Sequence, residues 1–130
     1  MTLDRPVTVY IFDDELCALA HQYRLPSVDL HVFEHADEAL RLVKQRCPQI
    51  VLMDYSMRGE QSGAEAMVAL HHFRRSSGVP LHLVGISRSS DSNRHLLAAG
   101  ADDAIPKTHV RGYLQRLVER MLLAGAAKPL

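Results

Sequence analysis

Residues 7–14 read Val-Thr-Val-Tyr-Ile-Phe-Asp-Asp, a run of six strand-forming residues that ends abruptly in two acids. Such a β-branched and aromatic run is typical of a buried strand, and the acids mark the loop that follows it. Apolar residues then recur at helical spacing from Leu16 to Tyr23, and Pro26 ends that pattern. This segment therefore predicts a strand, a loop with two carboxylates, and a helix.

The same alternation continues along the chain. Four further apolar runs predict strands, and each is followed by an amphipathic stretch that predicts a helix. The predicted strands lie at 28–33, 50–53, 81–86 and 102–105, and the predicted helices at about 36–46, 63–78, 91–99 and 109–123. Strands that alternate with helices indicate an α/β fold in which helices cover both faces of a parallel sheet. We expect one domain over 1–130, with its core at 7–123 and a frayed segment at 124–130.

Charge and composition exclude several classes of protein. Lysine plus arginine and aspartate plus glutamate each number 15, and a net charge of zero argues against bulk binding of nucleic acid. The balance hides an asymmetry, since residues 1–65 carry −5 and residues 66–130 carry +5. No apolar run is long enough for a membrane helix, and the first residues do not resemble a signal peptide. We therefore expect a cytoplasmic protein in which Cys17 and Cys47 are buried, reduced thiols.

Polar side chains follow four of the predicted strands, at the sheet edge where open α/β folds bind ligands. They are Asp13, Asp14 and Glu15 after the first strand, Asp54 after the third, Ser87 after the fourth and Lys107 after the fifth. Clustered carboxylates suit a hard cation such as Mg²⁺, and a carboxylate beside that ion can attack a phosphoryl group. An amine and a hydroxyl then stabilise the phosphoryl oxygens. Taken singly, each residue has an ordinary alternative, such as a helix cap or a solvated charge.

The ordered set resembles the receiver domain of two-component response regulators, over about Val7 to Leu123. The motifs that carry the resemblance are Asp13-Asp14, Val51-Leu52-Met53-Asp54, Gly63, Gly85-Ile86-Ser87, Ala98-Ala99-Gly100-Ala101-Asp102-Asp103 and Lys107. The resemblance implies a flavodoxin-like doubly wound sheet with strand order 2-1-3-4-5, in a stand-alone receiver similar to the chemotaxis regulators.

The resemblance also implies a role for each site residue. Asp54 is expected to be the phosphoacceptor, Lys107 to contact the phosphoryl group, and Ser87 to be the switch hydroxyl. The expected Mg²⁺ ligands are Asp13, Asp14, Asp54 and the backbone carbonyl of Ser56. A histidine kinase or phosphotransfer protein would donate the phosphoryl group. A downstream protein, or a second copy in a homodimer, would bind the face of helix four, strand five and helix five. Self-phosphorylation and autodephosphorylation would be the only chemistry.

Four positions depart from the family pattern. Arg58 and Thr108 replace prolines, and Thr108 predicts a trans peptide bond after Lys107. Ala104 stands where the family has a switching aromatic residue, and Arg88 stands where it has a small one. Arg58, Ala104 and Thr108 favour a second hypothesis, a pseudo-receiver that acts as an adaptor without phosphorylation. Arg88 would instead partly cover the site or contact the phosphoryl group. An acid-pocket phosphatase is a third hypothesis. The eight histidines do not have the spacing of a zinc site.

Overall fold

A computed structural model of the chain describes residues 6–17, 25, 27–57 and 62–127. Within these ranges, five strands alternate with five helices. The strands are β1 (Val7–Phe12), β2 (Val28–Phe33), β3 (Ile50–Asp54), β4 (His82–Ser87) and β5 (Asp103–Pro106). The helices are α1 (Asp14–Cys17), α2 (Ala39–Arg46), α3 (Gly63–Ser77), α4 (Ser90–Ala98) and α5 (Val110–Ala127), and a 3-10 turn at Lys107–His109 joins β5 to α5.

The five strands form one parallel sheet in the order β2-β1-β3-β4-β5. This confirms the predicted fold class and strand order. The register aligns the carboxyl ends of the strands, with Phe12 beside Met53 and Ser87 beside Pro106. The residues that follow these strands therefore lie along one edge of the sheet.

The core occupies both faces of the sheet. Ile11 and Leu52 pack with α1 and α5 on one face, while Phe12 and Met53 pack with α2, α3 and α4 on the other. Every residue of β3 is buried, which is why apolar and polar residues do not alternate along this strand. The central position of β3 places its last residue, Asp54, in the middle of the functional edge.

Some element boundaries differ from the prediction. Helix α2 begins at Ala39, three residues after its predicted start at about residue 36, so Asp37 and Glu38 precede it. Strand β5 begins after Asp102, whose carboxylate accepts a hydrogen bond from the backbone N–H of Leu83 and so belongs to the preceding turn. Residues 124–127 are predicted to be frayed, but helix α5 continues through them, because alanine favours helix. Residues 128–130 lie outside the described ranges.

The prediction that Cys47 is buried is wrong, because this thiol is exposed. Cys47 ends α2 in a left-handed conformation (φ 48°), and that turn directs its side chain away from the core. The Cys17 side chain and the predicted helix from residue 18 to Tyr23 lie outside the described part of the structure. Among the described helices, none combines the length and the hydropathy needed to cross a membrane.

Candidate functional site

Asp54 is the last residue of β3, and the first residue of α3, Gly63, lies against its backbone. Only 2% of this residue is exposed. This close approach depends on glycine, because a Cβ atom at Gly63 would lie 1.8 Å from the backbone oxygen of Asp54. Ser62 caps α3 in a capping box with Glu65, which fixes the direction in which the helix leaves the site. Glycine at position 63 thus lets α3 begin directly against the Asp54 backbone.

Asp13 combines a structural role with a place in the site. Its Oδ1 atom accepts hydrogen bonds from the backbone N–H groups of Glu15 (2.8 Å) and Leu16 (3.1 Å), and so caps α1. Its Oδ2 atom is buried and lacks a partner of hydrogen-bonding geometry, and Lys107 Nζ lies 3.1 Å from it. The helix-capping alternative therefore accounts for only one of the two carboxylate oxygens.

Three carboxylates meet at this edge. Asp13, Asp14 and Asp54 each bring one oxygen atom to within 4.8 Å of the others. Burial, together with the charge of Asp13, raises the pKa of Asp54 from 3.8 to about 6, although Lys107 opposes the shift. The Oδ2 atom of Asp54 is also buried without a partner of hydrogen-bonding geometry. Such a set of oxygens can hold a hard cation, which would relieve the mutual repulsion.

Lys107 lies within ion-pair distance of three acids. Its Nζ atom is 2.9 Å from Asp54 Oδ2, 3.1 Å from Asp13 Oδ2 and 2.7 Å from Glu15 Oε1, and its side chain is 10% exposed. Burial acts to lower the pKa of this amine, but Glu15, Asp54 and Asp13 together raise it above its ordinary value. No peptide bond in the described residues is cis, which agrees with the trans bond predicted before Thr108. The lysine is therefore held in the site without the proline of the family pattern.

Ser56 and Ser87 line the same cavity as Asp54 and Lys107, a space of about 170 Å³. The Ser87 hydroxyl donates to the backbone oxygen of Ser89 (2.7 Å) and accepts from its N–H (2.8 Å), so it is engaged by its own loop. The structure thus brings together all six residues that the sequence predicts for the site, and their roles remain predictions. Arg58 lies outside the described residues.

Two further charged residues, Glu15 and Arg88, also line this cavity. The Arg88 guanidinium binds both carboxylate oxygens of Glu15, and Lys107 binds the same carboxylate. The sequence predicts Glu15 at this sheet edge and shows Arg88 as a departure from the family pattern, but it does not predict that the two side chains pair. They lie 73 positions apart, so only the parallel pairing of β1, β3 and β4 brings them together.

A contact between neighbouring elements lies beside the site. The Tyr55 hydroxyl is 3.3 Å from Nδ1 of His95 on α4, and the two rings meet edge to face. Tyr55 directly follows Asp54, so this contact ties the loop after β3 to α4. On β5, Ala104 is partly buried and has no ring that could move between two positions.

The family profile described as the response regulator receiver domain matches residues 10–119 of the chain. Among curated proteins, no sequence matches this chain.

Solved structures resemble the fold along most of its length. A signal receiver domain from Vibrio parahaemolyticus has a TM-score of 0.72 and 18% identity, and the match covers 96% of this chain and 99% of that one. A CheY-like receiver domain from Methanospirillum hungatei has a TM-score of 0.70 and 17% identity, with 88% and 95% covered. A third match is the receiver domain of a Saccharomyces cerevisiae response regulator, in a co-crystal with a histidine phosphotransfer signalling protein. Its TM-score is 0.68 at 21% identity, with 82% and 81% covered.

Proposed function

Because this chain belongs to the family of response regulator receiver domains, we propose that it accepts a phosphoryl group on Asp54 and transmits the signal by contact with another protein. The observation that supports this most directly is the state of the Asp54 carboxylate. It is buried in the wall of a small polar cavity, and its Oδ2 atom has an ion pair with the Lys107 amine at 2.9 Å but no partner of hydrogen-bonding geometry. A carboxylate in these surroundings is poised to act as a nucleophile.

In the proposed reaction, a carboxylate oxygen of Asp54 attacks the phosphorus atom of the donor. A new P–O bond forms while the bond between phosphorus and the leaving group breaks, and that electron pair departs with the leaving group. The leaving group is acetate when acetyl phosphate is the donor. It is a histidine imidazole, which takes up a proton, when the donor is a phosphohistidine. Lys107 balances charge on the phosphoryl oxygens, and Ser87 donates to one of them after leaving its bond to Ser89.

The carboxylate cluster fits Mg²⁺, because its three ligand atoms lie within 4.8 Å of one another. Two of its buried oxygens have Lys107 as an ion-pair partner but no partner of hydrogen-bonding geometry. Asp13, Asp14 and Asp54 would hold the ion, with the backbone carbonyl of Ser56 as the fourth protein ligand. When bound, the ion would neutralise the carboxylates and the phosphoryl oxygens.

The proposed donor is a histidine kinase or a phosphotransfer protein, as in the yeast complex, where a phosphotransfer protein binds a receiver domain. The proposed output surface is the face formed by α4, β5 and α5, which would meet a downstream protein or a second copy of this chain. We further propose that the chain is one cytoplasmic receiver domain whose only chemistry is self-phosphorylation and autodephosphorylation at Asp54.

The test is incubation with acetyl phosphate or phosphoramidate and Mg²⁺, followed by intact mass measurement. We expect a gain of one phosphoryl group that is absent in Asp54→Asn and without Mg²⁺. The matched control, Asp103→Asn, removes an exposed acid of β5 and should still gain the group. If the wild type gains no mass with either donor, the proposed function is wrong.

One observation favours the adaptor hypothesis for the output step. Ala104 cannot provide the ring movement that would couple the site to the output face, so phosphorylation of Asp54 need not change that face. Hydrogen exchange of α4, β5 and α5, with and without phosphorylation, distinguishes the two. Unchanged exchange in a fully phosphorylated protein would favour an adaptor whose binding does not depend on phosphorylation.

A further inference from the structure

Arg88 lies at the mouth of the cavity that contains Asp54. It directly follows Ser87 at the end of β4, and 75% of its side chain is exposed. Its Nε atom is 3.3 Å from Oε1 of Glu15, and its Nη2 atom binds Oε2 of the same carboxylate. Arg88 and Glu15 line the same cavity as Asp54. The pair therefore closes part of the entrance with a two-pronged contact.

Glu15 holds two cations at once. Lys107 Nζ is 2.7 Å from Glu15 Oε1 and 2.9 Å from Asp54 Oδ2, so a single amine spans the gap between the two carboxylates. The Arg88 guanidinium contacts both oxygens of the same Glu15 carboxylate, so Glu15 links Arg88 to Lys107 and, through Lys107, to Asp54. In the unphosphorylated protein, Glu15 acts as a counterion for both positive groups of the cavity.

Phosphorylation changes the charges that compete for these cations. A phosphoryl group carries about −1.5 to −2 charges near neutral pH and presents three acceptor oxygens. A guanidinium matches such a group with parallel N–H donors better than an ammonium does. The bond that Arg88 would give up is an exposed ion pair, which contributes little in water. A dianion within the same small cavity is therefore a stronger partner for Arg88 than Glu15 is.

We propose that Arg88 is a second phosphoryl-binding cation, which Glu15 holds at the cavity mouth until Asp54 is phosphorylated and which then binds the phosphoryl oxygens beside Lys107. This inference rests on the proposed function. It assigns Arg88 a task that the small residue of the family pattern cannot perform. Glu15 is the positioning residue, because it keeps the guanidinium at the mouth and away from the carboxylates of the ion cluster.

The test uses beryllium trifluoride, a non-covalent stand-in for the phosphoryl group, with Mg²⁺ and the full chain. Its affinity is read from the thermal shift as the fluoride complex is titrated, and the affinity for Mg²⁺ alone is measured in parallel. Arg88→Ala should weaken beryllium trifluoride binding by about tenfold, the value of one charge-assisted contact, and leave Mg²⁺ binding unchanged. Arg88→Lys should recover part of the lost affinity, because it restores the positive charge but not the parallel N–H donors of the guanidinium.

Two further variants separate this role from a structural one. Glu15→Gln should strengthen beryllium trifluoride binding several-fold in the wild-type background, because Arg88 and Lys107 would lose the carboxylate that holds them. In an Arg88→Ala background the same substitution should strengthen binding by less, because only Lys107 remains to be released. The matched control is Arg94→Ala, which removes an equally exposed arginine that pairs with Asp91 on α4, and it should change nothing.

Each result decides between the hypotheses. Equal beryllium trifluoride affinity in the wild type and Arg88→Ala would overturn the assignment of Arg88, and the phosphorylation of Asp54 would still stand. A parallel loss of Mg²⁺ affinity would also overturn it, because the arginine would then only support the cluster. If the wild type binds no beryllium trifluoride and gains no mass from acetyl phosphate, the proposed function fails and this inference fails with it.

Discussion

Replacing Asp54 with asparagine should stabilise the metal-free protein, although it removes the residue proposed to be essential. Asparagine keeps the shape of the side chain and removes its charge. In the folded chain, burial and the neighbouring Asp13 raise the pKa of Asp54 from 3.8 to about 6, even with Lys107 nearby. A difference of about two pKa units corresponds to about 3 kcal/mol of unfavourable free energy when the group is ionised. Water in the cavity screens part of this, so we expect a gain of about 1–2 kcal/mol at pH 7.5.

The pH dependence identifies the cause of that gain. Below about pH 4, Asp54 is protonated in both the folded and the unfolded chain, so the wild type and the variant should be equally stable. Between about pH 4 and pH 6 the unfolded chain ionises first, and the wild type loses stability relative to the variant. Above about pH 6 the folded chain is ionised as well, and the difference stays constant.

Thermal unfolding with a chelator present, at pH values from 4 to 8, measures this difference. For a domain of this size we expect the Tm of Asp54→Asn to exceed that of the wild type by about 3–6 °C at pH 7.5. Asp91→Asn, an exposed acid paired with Arg94, is the control and should shift Tm by less than about 1 °C. A lower Tm for Asp54→Asn, or a difference that does not vary with pH, would refute the reasoning from burial and charge repulsion.

Three more variants test other parts of the structure. Gly63→Ala should lower the free energy of unfolding in urea by about 2–3 kcal/mol, because its Cβ atom would meet the Asp54 backbone at 1.8 Å. In the control Gly112→Ala in α5, the Cβ atom would meet only the flexible end of an arginine at 3.3 Å, so stability should not fall. Similar losses in the two variants would contradict this. Lys107→Ala should raise the pKa of Asp54 above about 6 and move the pH profile of stability to higher pH, and an unmoved midpoint would contradict the ion pair. Arg74→Ala should lower the free energy of unfolding by about 2–3 kcal/mol, since the guanidinium donates to one carboxylate and two backbone carbonyls. Arg74→Lys should recover only part of this stability. Full recovery would mean that only the charge matters.

Local sequence patterns were sufficient to predict the strands and the edge on which the site forms. Uniformly apolar runs such as 50–53 mark strands covered on both faces, and the acids that follow them mark the strand ends. Because parallel strands end at one edge, Asp13 and Asp54 could be placed together without any knowledge of their distance. The strand order came from the family resemblance and not from the patterns themselves.

The interactions that depend on long-range geometry could not be predicted in this way. The sequence places Glu15 among the acids that follow the first strand, but nothing local indicates that Arg88 and Lys107 both bind it. Cys47 looks like a core residue by type, but its left-handed backbone conformation places it on the surface. The sequence predicts Asp102 as the first residue of a strand. In the structure it precedes β5, and its carboxylate accepts hydrogen bonds from the Leu83 N–H and from Arg74 on α3.

The 3-10 turn at Lys107–His109 has a mechanical consequence. It passes directly into α5, with no intervening loop, so the backbone that carries the site lysine is also the base of the longest helix. A helix of 18 residues is about 27 Å long, and a tilt of about 5° at its base would move its far end by about 2 Å. A small adjustment of the lysine backbone would therefore be amplified along α5 as along a lever arm, and this amplification needs no rotating ring on β5.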